Sequence, residues 1–193
     1  MCIICSGNYD INSTYLNCSF CKNIKKIPKK LINLTELNCN YTKIKKIPKK
    51  FINLTNLHCE KTQIKKIPKE LVNLKILYCC ESIKIKEIPK ELVNLTELIC
   101  NYTEIKKIPK ELVNLVYLDC EFTKIKKIPK ELINLNNLYH NYNSCVHDDS
   151  WIKTEDEINK IIKLQKFIKL YLKLPTLWKI SEYYTKKNIH QKI

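Results

Sequence analysis

The chain has 193 residues and a formal net charge of +16, and all 35 of its Lys-plus-Arg residues are lysines. This length suits one domain with a capping segment, and no apolar run reaches the roughly 20 residues that a membrane-spanning helix needs. The sequence contains no phosphate-binding loop, nucleophile motif or paired-carboxylate site. We therefore expect a protein that is not an enzyme and that needs no cofactor.

Residues 1–12 precede the first repeat, and we predict that they form a short N-terminal cap. The first seven of them, Met1–Gly7, contain no basic region and no long apolar core. A secretory signal needs both of these features. We therefore expect no signal peptide.

Two cysteine pairs, Cys2-x-x-Cys5 and Cys18-x-x-Cys21, are separated by twelve residues. This spacing is typical of zinc ribbons, in which four thiolates form a tetrahedral site. The alternative is structural, because Cys18 belongs to a repeated column of cysteines and Cys21 aligns with the Thr42 position of the next repeat. We therefore assign no metal-binding residues from the sequence, and zinc stays an open alternative.

A single pattern, LxxLxCxxTxIxxIP, begins at Leu34 and ends at Pro48. The prolines that close successive copies are 20 or 21 residues apart. The pattern returns in four later segments, one of them longer by a residue: Leu54–Pro68, Leu74–Pro89, Leu95–Pro109 and Leu115–Pro129. Repeats of this length indicate a solenoid, in which each repeat buries its faces against its neighbours.

The pattern resembles the LxxLxLxxNxLxxLP consensus of the leucine-rich repeat family, with Cys at the third leucine and Thr at the asparagine. The matching residues of one repeat are Leu34, Leu37, Cys39, Thr42, Ile44 and Ile47. The resemblance covers residues 13–144 and implies about seven repeats in a right-handed α/β solenoid with a concave parallel sheet. It also implies a non-enzymatic protein-binding role. The Lys-, Ile-, Asn- and Tyr-rich composition, which lacks Ala, resembles repeat proteins encoded by giant DNA viruses of amoebae.

Each repeat is predicted to start with a short strand, such as Glu36–Asn40, whose side chains alternate between inside and outside. The predicted inward positions of this repeat are Leu34, Leu37, Cys39, Ile44, Ile47, Phe51 and Ile52. The return limb that contains proline is predicted to be extended or to form a 3₁₀ or helical turn. By analogy with the family's asparagine, we expect the Thr42 column to form a hydrogen-bonded ladder between neighbouring turns.

The outward side chains of the strands are the predicted binding surface. Lysine is almost missing from these positions, while carboxylates, amides and aromatic residues are frequent. Amphipathic aromatics among amides and acids are typical of protein interfaces. The candidate protein-binding residues are Tyr78, Ile99, Tyr102, Tyr117, Phe122, Tyr139 and Tyr142. For Tyr102 and Phe122, packing within the turn after the strand is the structural alternative.

Pairs of lysines, such as Lys45/Lys46 and Lys106/Lys107, recur on the return limb and are predicted to form rows along one flank. This flank supports an alternative function, an electrostatic tether to nucleic acid or to an anionic membrane. The absence of Arg argues against it, because Arg is the usual reader of phosphates and guanines. We therefore favour an unidentified protein as the partner and expect a monomer.

Most cysteines are predicted to be structural. Six of them share one repeat column: Cys18, Cys39, Cys59, Cys79, Cys100 and Cys120. Buried thiols in such a column act as small apolar side chains. The sequons Asn40-Tyr41-Thr42 and Asn101-Tyr102-Thr103 would place glycans on the predicted binding face of a secreted protein. We therefore expect a reducing, cytoplasmic location.

The repeat pattern fails after Leu138, and residues 145–193 are predicted to form a C-terminal helical cap. Thr154-Glu155-Asp156-Glu157 is a capping box, and apolar residues at helical spacing follow it until Pro175. Such a cap would cover the open apolar end of the solenoid. It also supports a third hypothesis, an adaptor whose helical tail recruits a second protein.

Overall fold

The computed structural model describes residues 3–140. Within them, one short helix, α1 (Ile3–Ser6), precedes seven strands. The strands are β1 (Tyr15–Asn17), β2 (Glu36–Asn38), β3 (Asn56–His58), β4 (Ile76–Tyr78), β5 (Glu97–Ile99), β6 (Tyr117–Asp119) and β7 (Asn137–Tyr139). The predicted helical cap, 145–193, lies outside the described residues, as does the candidate binding residue Tyr142.

The seven strands form one parallel sheet in sequence order, β1 to β7. Each strand is in register with the next, so that the central leucine of every strand pairs with the central leucine of its neighbour, as Leu37 does with Leu57. Since consecutive strands lie in adjacent repeats, the chain completes one turn of a solenoid in each repeat. The prediction of a parallel-sheet solenoid is confirmed.

The core consists of buried columns that run along the stack. In the third repeat these columns contribute Leu54, Leu57, Cys59, Ile64 and Leu71, none of which has accessible surface. The columns contain leucine, isoleucine or cysteine in almost every repeat, so each side chain packs on its own equivalent in the next turn. Burying a side chain of this size contributes about 1.5–3 kcal/mol.

One predicted inward position is wrong. Phe51 is fully buried, but Ile52 is 52% exposed, and the equivalent residues of the other repeats are exposed too. The cause is the turn that follows each proline. Phe51 N donates to Pro48 O and Leu54 N donates to Phe51 O, at 3.2 and 3.1 Å. These two consecutive i to i+3 turns direct Phe51 and Leu54 inward and leave Ile52 outside, and they correspond to the 3₁₀-like turn predicted for the return limb.

The threonine column is buried, and its hydroxyls donate to carbonyl groups of their own repeat. Thr42 Oγ1 donates to Cys39 O at 2.7 Å, and Thr103 Oγ1 donates to Cys100 O at 2.6 Å. A bond between turns occurs where serine replaces threonine, because Ser82 Oγ donates to Cys59 O of the previous repeat at 2.7 Å. The expected contact between neighbouring turns is therefore present between Thr62 and Ser82, while the hydroxyls of Thr42 and Thr103 donate within their own repeat.

A more regular ladder between turns is formed by asparagines of the return limb. Asn73 Nδ2 donates to Ile52 O at 2.9 Å, and Asn94 Nδ2 donates to Val72 O at the same distance. Asn53, Asn114 and Asn134 make the same contact to the repeat before them. This column ties the limbs opposite the sheet together. Among residues 3–140, no helix is long and apolar enough to cross a membrane.

We predict that Phe51→Ala lowers the free energy of unfolding by about 3–5 kcal/mol, because it leaves a cavity in a fully buried site. Its neighbour Ile52 is the matched control, and Ile52→Ala should change stability by less than about 0.5 kcal/mol. Chemical denaturation followed by circular dichroism measures both values. Equal losses for the two variants would contradict the assignment of inward and outward positions.

We predict that Thr103→Val costs about 1–3 kcal/mol of stability, because Cys100 O loses a hydroxyl donor in a buried site. Thr62→Val should cost less, since Cys59 O accepts from both Thr62 Oγ1 and Ser82 Oγ. Denaturant titrations of the two valine variants give the comparison. A larger loss for Thr62→Val would show that these carbonyls do not depend on the hydroxyl column.

Candidate functional site

The candidate site is the outer face of the sheet, which we call the sheet face and define by the first and third residues of β1–β7. These residues alternate with the buried central leucines, so the strands direct them away from the core. They are Tyr15, Asn17, Glu36, Asn38, Asn56, His58, Ile76, Tyr78, Glu97, Ile99, Tyr117, Asp119, Asn137 and Tyr139. None of them is lysine, although the chain has a net charge of +16.

Tyr78 is held in one orientation by the strands on either side of it. Its ring meets the ring of His58 edge to face, with centroids 4.6 Å apart. Its hydroxyl donates to Glu97 Oε1 at 2.5 Å. Burial, followed by the hydrogen bond to Glu97, raises the pKa of Tyr78 to about 12. Tyr78 is therefore a neutral, pre-oriented aromatic residue at physiological pH.

Tyr117 and Tyr139 form a second aromatic contact, with ring centroids 5.6 Å apart. They do not share a register position, because Tyr117 pairs with Asn137 and Tyr139 pairs with Asp119. The contact is therefore diagonal across β6 and β7. Tyr117 is half-buried and Tyr139 is exposed, so the pair presents a partly accessible aromatic surface.

An alignment of the strands would suggest that one straight aromatic stripe runs across β4 to β7. The structure shows no such stripe through Tyr78, Ile99, Tyr117 and Tyr139. Tyr78 pairs with Ile99 and Ile99 pairs with Asp119, so a carboxylate stands between Ile99 and Tyr139. The structure brings together Tyr117 and Tyr139, and places Tyr78 and Ile99 side by side on β4 and β5. The sheet face thus has two aromatic patches separated by an acid.

That acid belongs to a small polar network. Asn101 Nδ2 donates to Asp119 Oδ2 at 3.0 Å, and Glu121 N donates to Asp119 Oδ1 at 3.3 Å. Burial raises the pKa of Asp119, and these two hydrogen bonds oppose the shift. Cys80 lies near the network, and burial with nearby Glu60 and Asp119 raises its pKa to about 12. Its thiol is therefore protonated, so it is not a ready nucleophile.

The outward positions predicted from the sequence include His58, Glu97 and Asn101, but the candidate binding residues do not include them. Their side chains matter here because they fix Tyr78 and Asp119. The alternation of inward and outward side chains along a strand predicts from the sequence that His58 and Glu97 point outward. The particular contacts depend on rotamers and on the pairing of neighbouring strands.

The other candidate aromatics belong to a turn column at the end of each strand. Six residues there have positive φ between 48° and 59°: Phe20, Tyr41, Lys61, Glu81, Tyr102 and Phe122. Non-glycine residues in this region cost of order 1–3 kcal/mol, and the structure compensates with contacts to the next repeat. Tyr41 N donates to Glu60 O at 2.9 Å, and Tyr102 N donates to Glu121 O at 3.0 Å.

The rings of the turn column stack along the solenoid. Tyr102 and Phe122 lie 4.4 Å apart between centroids, with an interplanar angle of 12°. Phe20 and Tyr41 form an equivalent pair at 4.6 Å, and Lys61 Nζ lies 5.2 Å from the Tyr41 centroid. These residues thus pack their own turn, as the structural alternative states, but about half of the surface of Tyr102 and Phe122 stays accessible.

The lysines form a separate surface. Lys45, Lys46, Lys106 and Lys107 are exposed on the return limbs, away from the strands. Some other lysines pair with glutamates of a neighbouring repeat, as Lys49 does with Glu70 at 3.0 Å and Lys66 does with Glu87 at 3.7 Å. Exposed ion pairs contribute little to stability, but they reduce the positive charge of this flank.

The thiols of the cysteine column are buried and protonated, and they are therefore unreactive. Cys39, Cys59, Cys79 and Cys100 are fully buried, and burial is the largest cause that raises the pKa of each thiol well above its ordinary value. A protonated thiol without solvent access neither attacks an electrophile nor binds a metal. The prediction that these cysteines pack as small apolar residues agrees with their burial.

The described fold matches solved structures of leucine-rich repeat proteins. The functional domain of InlJ from Listeria monocytogenes, which includes a cysteine ladder, has a TM-score of 0.64 at 26% identity, covering 73% of this chain and 33% of that chain. A leucine-rich repeat protein of Leptospira interrogans has a TM-score of 0.52 at 27% identity, with coverages of 60% and 35%. The leucine-rich repeat domain of the type III effector XopL has a TM-score of 0.51 at 18% identity, with coverages of 58% and 46%.

These neighbours show that the chain has the leucine-rich repeat fold. This chain spans about a third of the length of the first two structures. No protein-family model matches the chain, and no curated protein matches it. Leucine-rich repeat structures are typically protein-interaction scaffolds and are usually not enzymes.

The raised pKa of Tyr78 predicts a specific alkaline transition. Because the folded-state pKa of about 12 exceeds the ordinary value of 10.0, its contribution to stability is present below pH 10 and is lost as the pH rises towards 12. Tyr78→Phe should remove this part of the pH dependence. Glu97→Gln should lower the pKa only partly, since burial remains. Tyrosinate absorbance, compared between wild type and Tyr78→Phe, measures the pKa, and a difference curve centred at pH 10 would contradict the prediction.

Proposed function

We propose that this protein is a non-enzymatic binding scaffold that presents its sheet face to a protein partner. The observation that carries the proposal is the contrast between the sheet face and the rest of the chain. A chain with 35 lysines and a net charge of +16 places none of them at the fourteen positions of this face. Aromatic, amide and acidic side chains occupy the positions instead.

Tyrosines on this face are suited to carry binding energy. Tyr78 is oriented by His58 and Glu97, and Tyr117 and Tyr139 orient each other. Rings fixed before binding lose little conformational entropy when a partner arrives. Tyrosine is also enriched among interface residues whose truncation costs 2 kcal/mol or more. We infer that the two patches, Tyr78 with Ile99 and Tyr117 with Tyr139, form the centre of the interface.

The stacked pair Tyr102 and Phe122 supports an extension of this interface along the edge of the sheet. Both rings are about half exposed, although each is held by the other. Exposed aromatic surface of this kind is costly in water and often marks a contact site. The remaining candidate, Tyr142, stays a prediction from the sequence.

The competing function is an electrostatic tether to nucleic acid or an anionic membrane through the lysine flank. The exposed lysine pairs support it. The ion pairs between repeats and the absence of Arg argue against it. Such a tether would weaken steeply with salt, because its affinity comes from counterion release. A third hypothesis, recruitment of a second protein by the tail, concerns residues outside those described.

We further infer that the protein acts as a monomer in a reducing, cytoplasmic location. The buried thiol column supports the reducing location, since those cysteines serve packing and not cross-linking, and the monomeric state stays a prediction from the sequence. The resemblance to repeat proteins of giant DNA viruses rests on composition and stays a prediction.

We predict that Tyr117→Ala and Tyr139→Ala each weaken partner binding at least tenfold, or about 1.4 kcal/mol. The melting temperature should hardly change, because both side chains lie outside the core columns. Affinity capture with the full chain identifies a partner, and titration calorimetry with that purified partner gives the dissociation constants.

The matched control is the double variant Lys106→Glu and Lys107→Glu on the flank. It should leave the affinity nearly unchanged at physiological salt, while the wild-type complex should survive a rise in salt concentration. Loss of binding in the lysine variant, with the tyrosine variants silent, would establish the electrostatic tether instead.

A further inference from the structure

The first repeat contains a thiol pair that the binding scaffold does not use. Cys5 Sγ and Cys21 Sγ lie 3.4 Å apart, although the two residues are 16 positions apart in the chain. Cys5 is exposed in α1, and Cys21 is half-buried in the segment that follows β1. Ile4 and Tyr9 pack against the core, as Cys21 itself does. This packing keeps the N-terminal segment, residues 3–12, beside the first repeat and holds the two thiols close together.

The repeat pattern does not explain a cysteine at position 21. The equivalent position of the next repeat holds a buried hydroxyl, and Thr42 Oγ1 donates to Cys39 O at 2.7 Å. Cys21 follows Cys18 at the same spacing, but it is only half-buried and its thiol contacts Cys5. Because a thiol is a weaker donor than a hydroxyl, the cysteine gives the repeat no advantage in hydrogen bonding. The contact with Cys5 is the feature that distinguishes this position.

The described residues do not gather around this pair as a metal centre. Cys18, the other cysteine of the second motif, is buried in the cysteine column, and its Sγ donates to Asn38 O at 3.5 Å. Within residues 3–140, no group of three or more His, Cys, Asp or Glu side chains can hold a metal ion. Cys2 lies outside the described residues. The zinc alternative raised by the motif spacing therefore gains no support, and the feature to explain is a contact between two thiols.

We propose that Cys5 and Cys21 form a reversible disulfide, a modification site that locks the N-terminal segment onto the first repeat under oxidising conditions. A disulfide has a sulfur–sulfur distance of about 2.05 Å, so the two thiols must approach by roughly 1.4 Å from their present contact. None of the four residues of α1 is fully buried. Rotation of the Cys5 side chain with a small shift of α1 therefore brings the sulfurs together without opening the core.

Access to solvent separates this pair from the cysteine column. Thiols such as Cys59 and Cys79 have no accessible surface, so a dissolved oxidant does not reach them. Cys5 is exposed and has a second thiol at contact distance. An accessible cysteine beside a resolving cysteine is the arrangement found in redox sensors. In a reducing compartment the pair stays as two thiols, and it closes when the balance of thiol and disulfide shifts.

The co-reactant is a small disulfide of the glutathione class, and the reaction is thiol–disulfide exchange. The Cys5 thiol loses a proton, and its sulfur attacks one sulfur of glutathione disulfide, which forms a mixed disulfide and releases one glutathione. Cys21, after losing its proton, attacks Cys5 Sγ and releases the second glutathione. The two protein sulfurs together lose two electrons, and glutathione disulfide gains them. The two protons end on the two glutathione thiols.

The test places the full chain, purified with a reductant, in buffers of defined glutathione to glutathione disulfide ratio. Free thiols are then alkylated, and the chain is digested with chymotrypsin. Cleavage after Tyr9 and Phe20 puts Cys5, Cys18 and Cys21 on different peptides, and fragmentation distinguishes Cys5 from Cys2. We expect one cross-linked peptide pair, joined through Cys5 and Cys21, that forms in oxidising buffer and disappears when the reductant is restored.

The lock itself is measured by hydrogen exchange of residues 3–12 in the reduced and the oxidised chain. Gly7 N, which donates to Ile4 O at 3.3 Å, is one of the amides that report on this segment. We expect exchange there to be at least about tenfold slower in the oxidised chain, because the link suppresses local opening. Exchange in the later repeats should be equal in the two states.

Three variants complete the test. Cys5→Ser and Cys21→Thr should form no such link and should show equal exchange in both buffers. Cys21→Thr restores the residue type of the next repeats, so it should retain the circular dichroism of the wild type. Cys80→Ser is the matched control, because Cys80 is a half-buried cysteine of a later repeat, and it should still form the Cys5–Cys21 link.

Three results would overturn the proposal. The first is a wild type that keeps both thiols, or stops at the mixed disulfide on Cys5, in the most oxidising buffer. The second is a cross-link that joins Cys5 or Cys21 to a different cysteine instead. The third is a Cys5–Cys21 link that leaves hydrogen exchange of residues 3–12 unchanged, since the disulfide would then lock nothing.

Discussion

The strand backbone of each repeat is hydrogen-bonded to the neighbouring repeats. Cys39 N donates to His58 O, and Tyr41 N donates to Glu60 O, at 2.8 and 2.9 Å. These donors and acceptors are one repeat apart, so a single twenty-residue unit cannot pair them internally, and unpaired buried groups are costly. The constraint explains the strict spacing of the repeats. It also explains how the one longer repeat is accommodated, since Ile83 is 62% exposed on the surface while Ser82 keeps the buried hydroxyl position.

Because the repeats are hydrogen-bonded to one another, the residues that stabilise the fold differ from the residues that face outward on the sheet. The buried columns and the ladders between repeats use the central strand residues, the return-limb asparagines and the post-proline turns. The first and third residues of each strand take no part in the core, so their identity is free to vary with the partner. Contacts such as that of Tyr78 with Glu97 then fix individual side chains on a rigid sheet. This arrangement favours a pre-organised binding surface.

Most of the fold follows from periodicity in the sequence, because similar residue types recur at the equivalent positions of successive repeats. The errors concern features that periodicity cannot resolve. Ile52 is apolar like Phe51, and only the two consecutive turns after Pro48 decide which of them is buried. From the sequence, Asn53 resembles an ordinary loop residue, although the return-limb asparagines to which it belongs bond each repeat to the one before it. On the sheet face, outward positions were predictable, but the diagonal contact of Tyr117 with Tyr139 depends on ring rotamers.

We propose that the sheet face, and not the lysine flank, contacts the partner. Site-specific photo-crosslinking tests it directly, with a benzoyl-phenylalanine residue placed once at Tyr117 and once at Lys107 of the full chain. We expect irradiation of the complex to join the partner to the position-117 probe and to leave the position-107 probe unreacted. Cross-linking from position 107 alone would show that the flank is the contact surface and would contradict the claim.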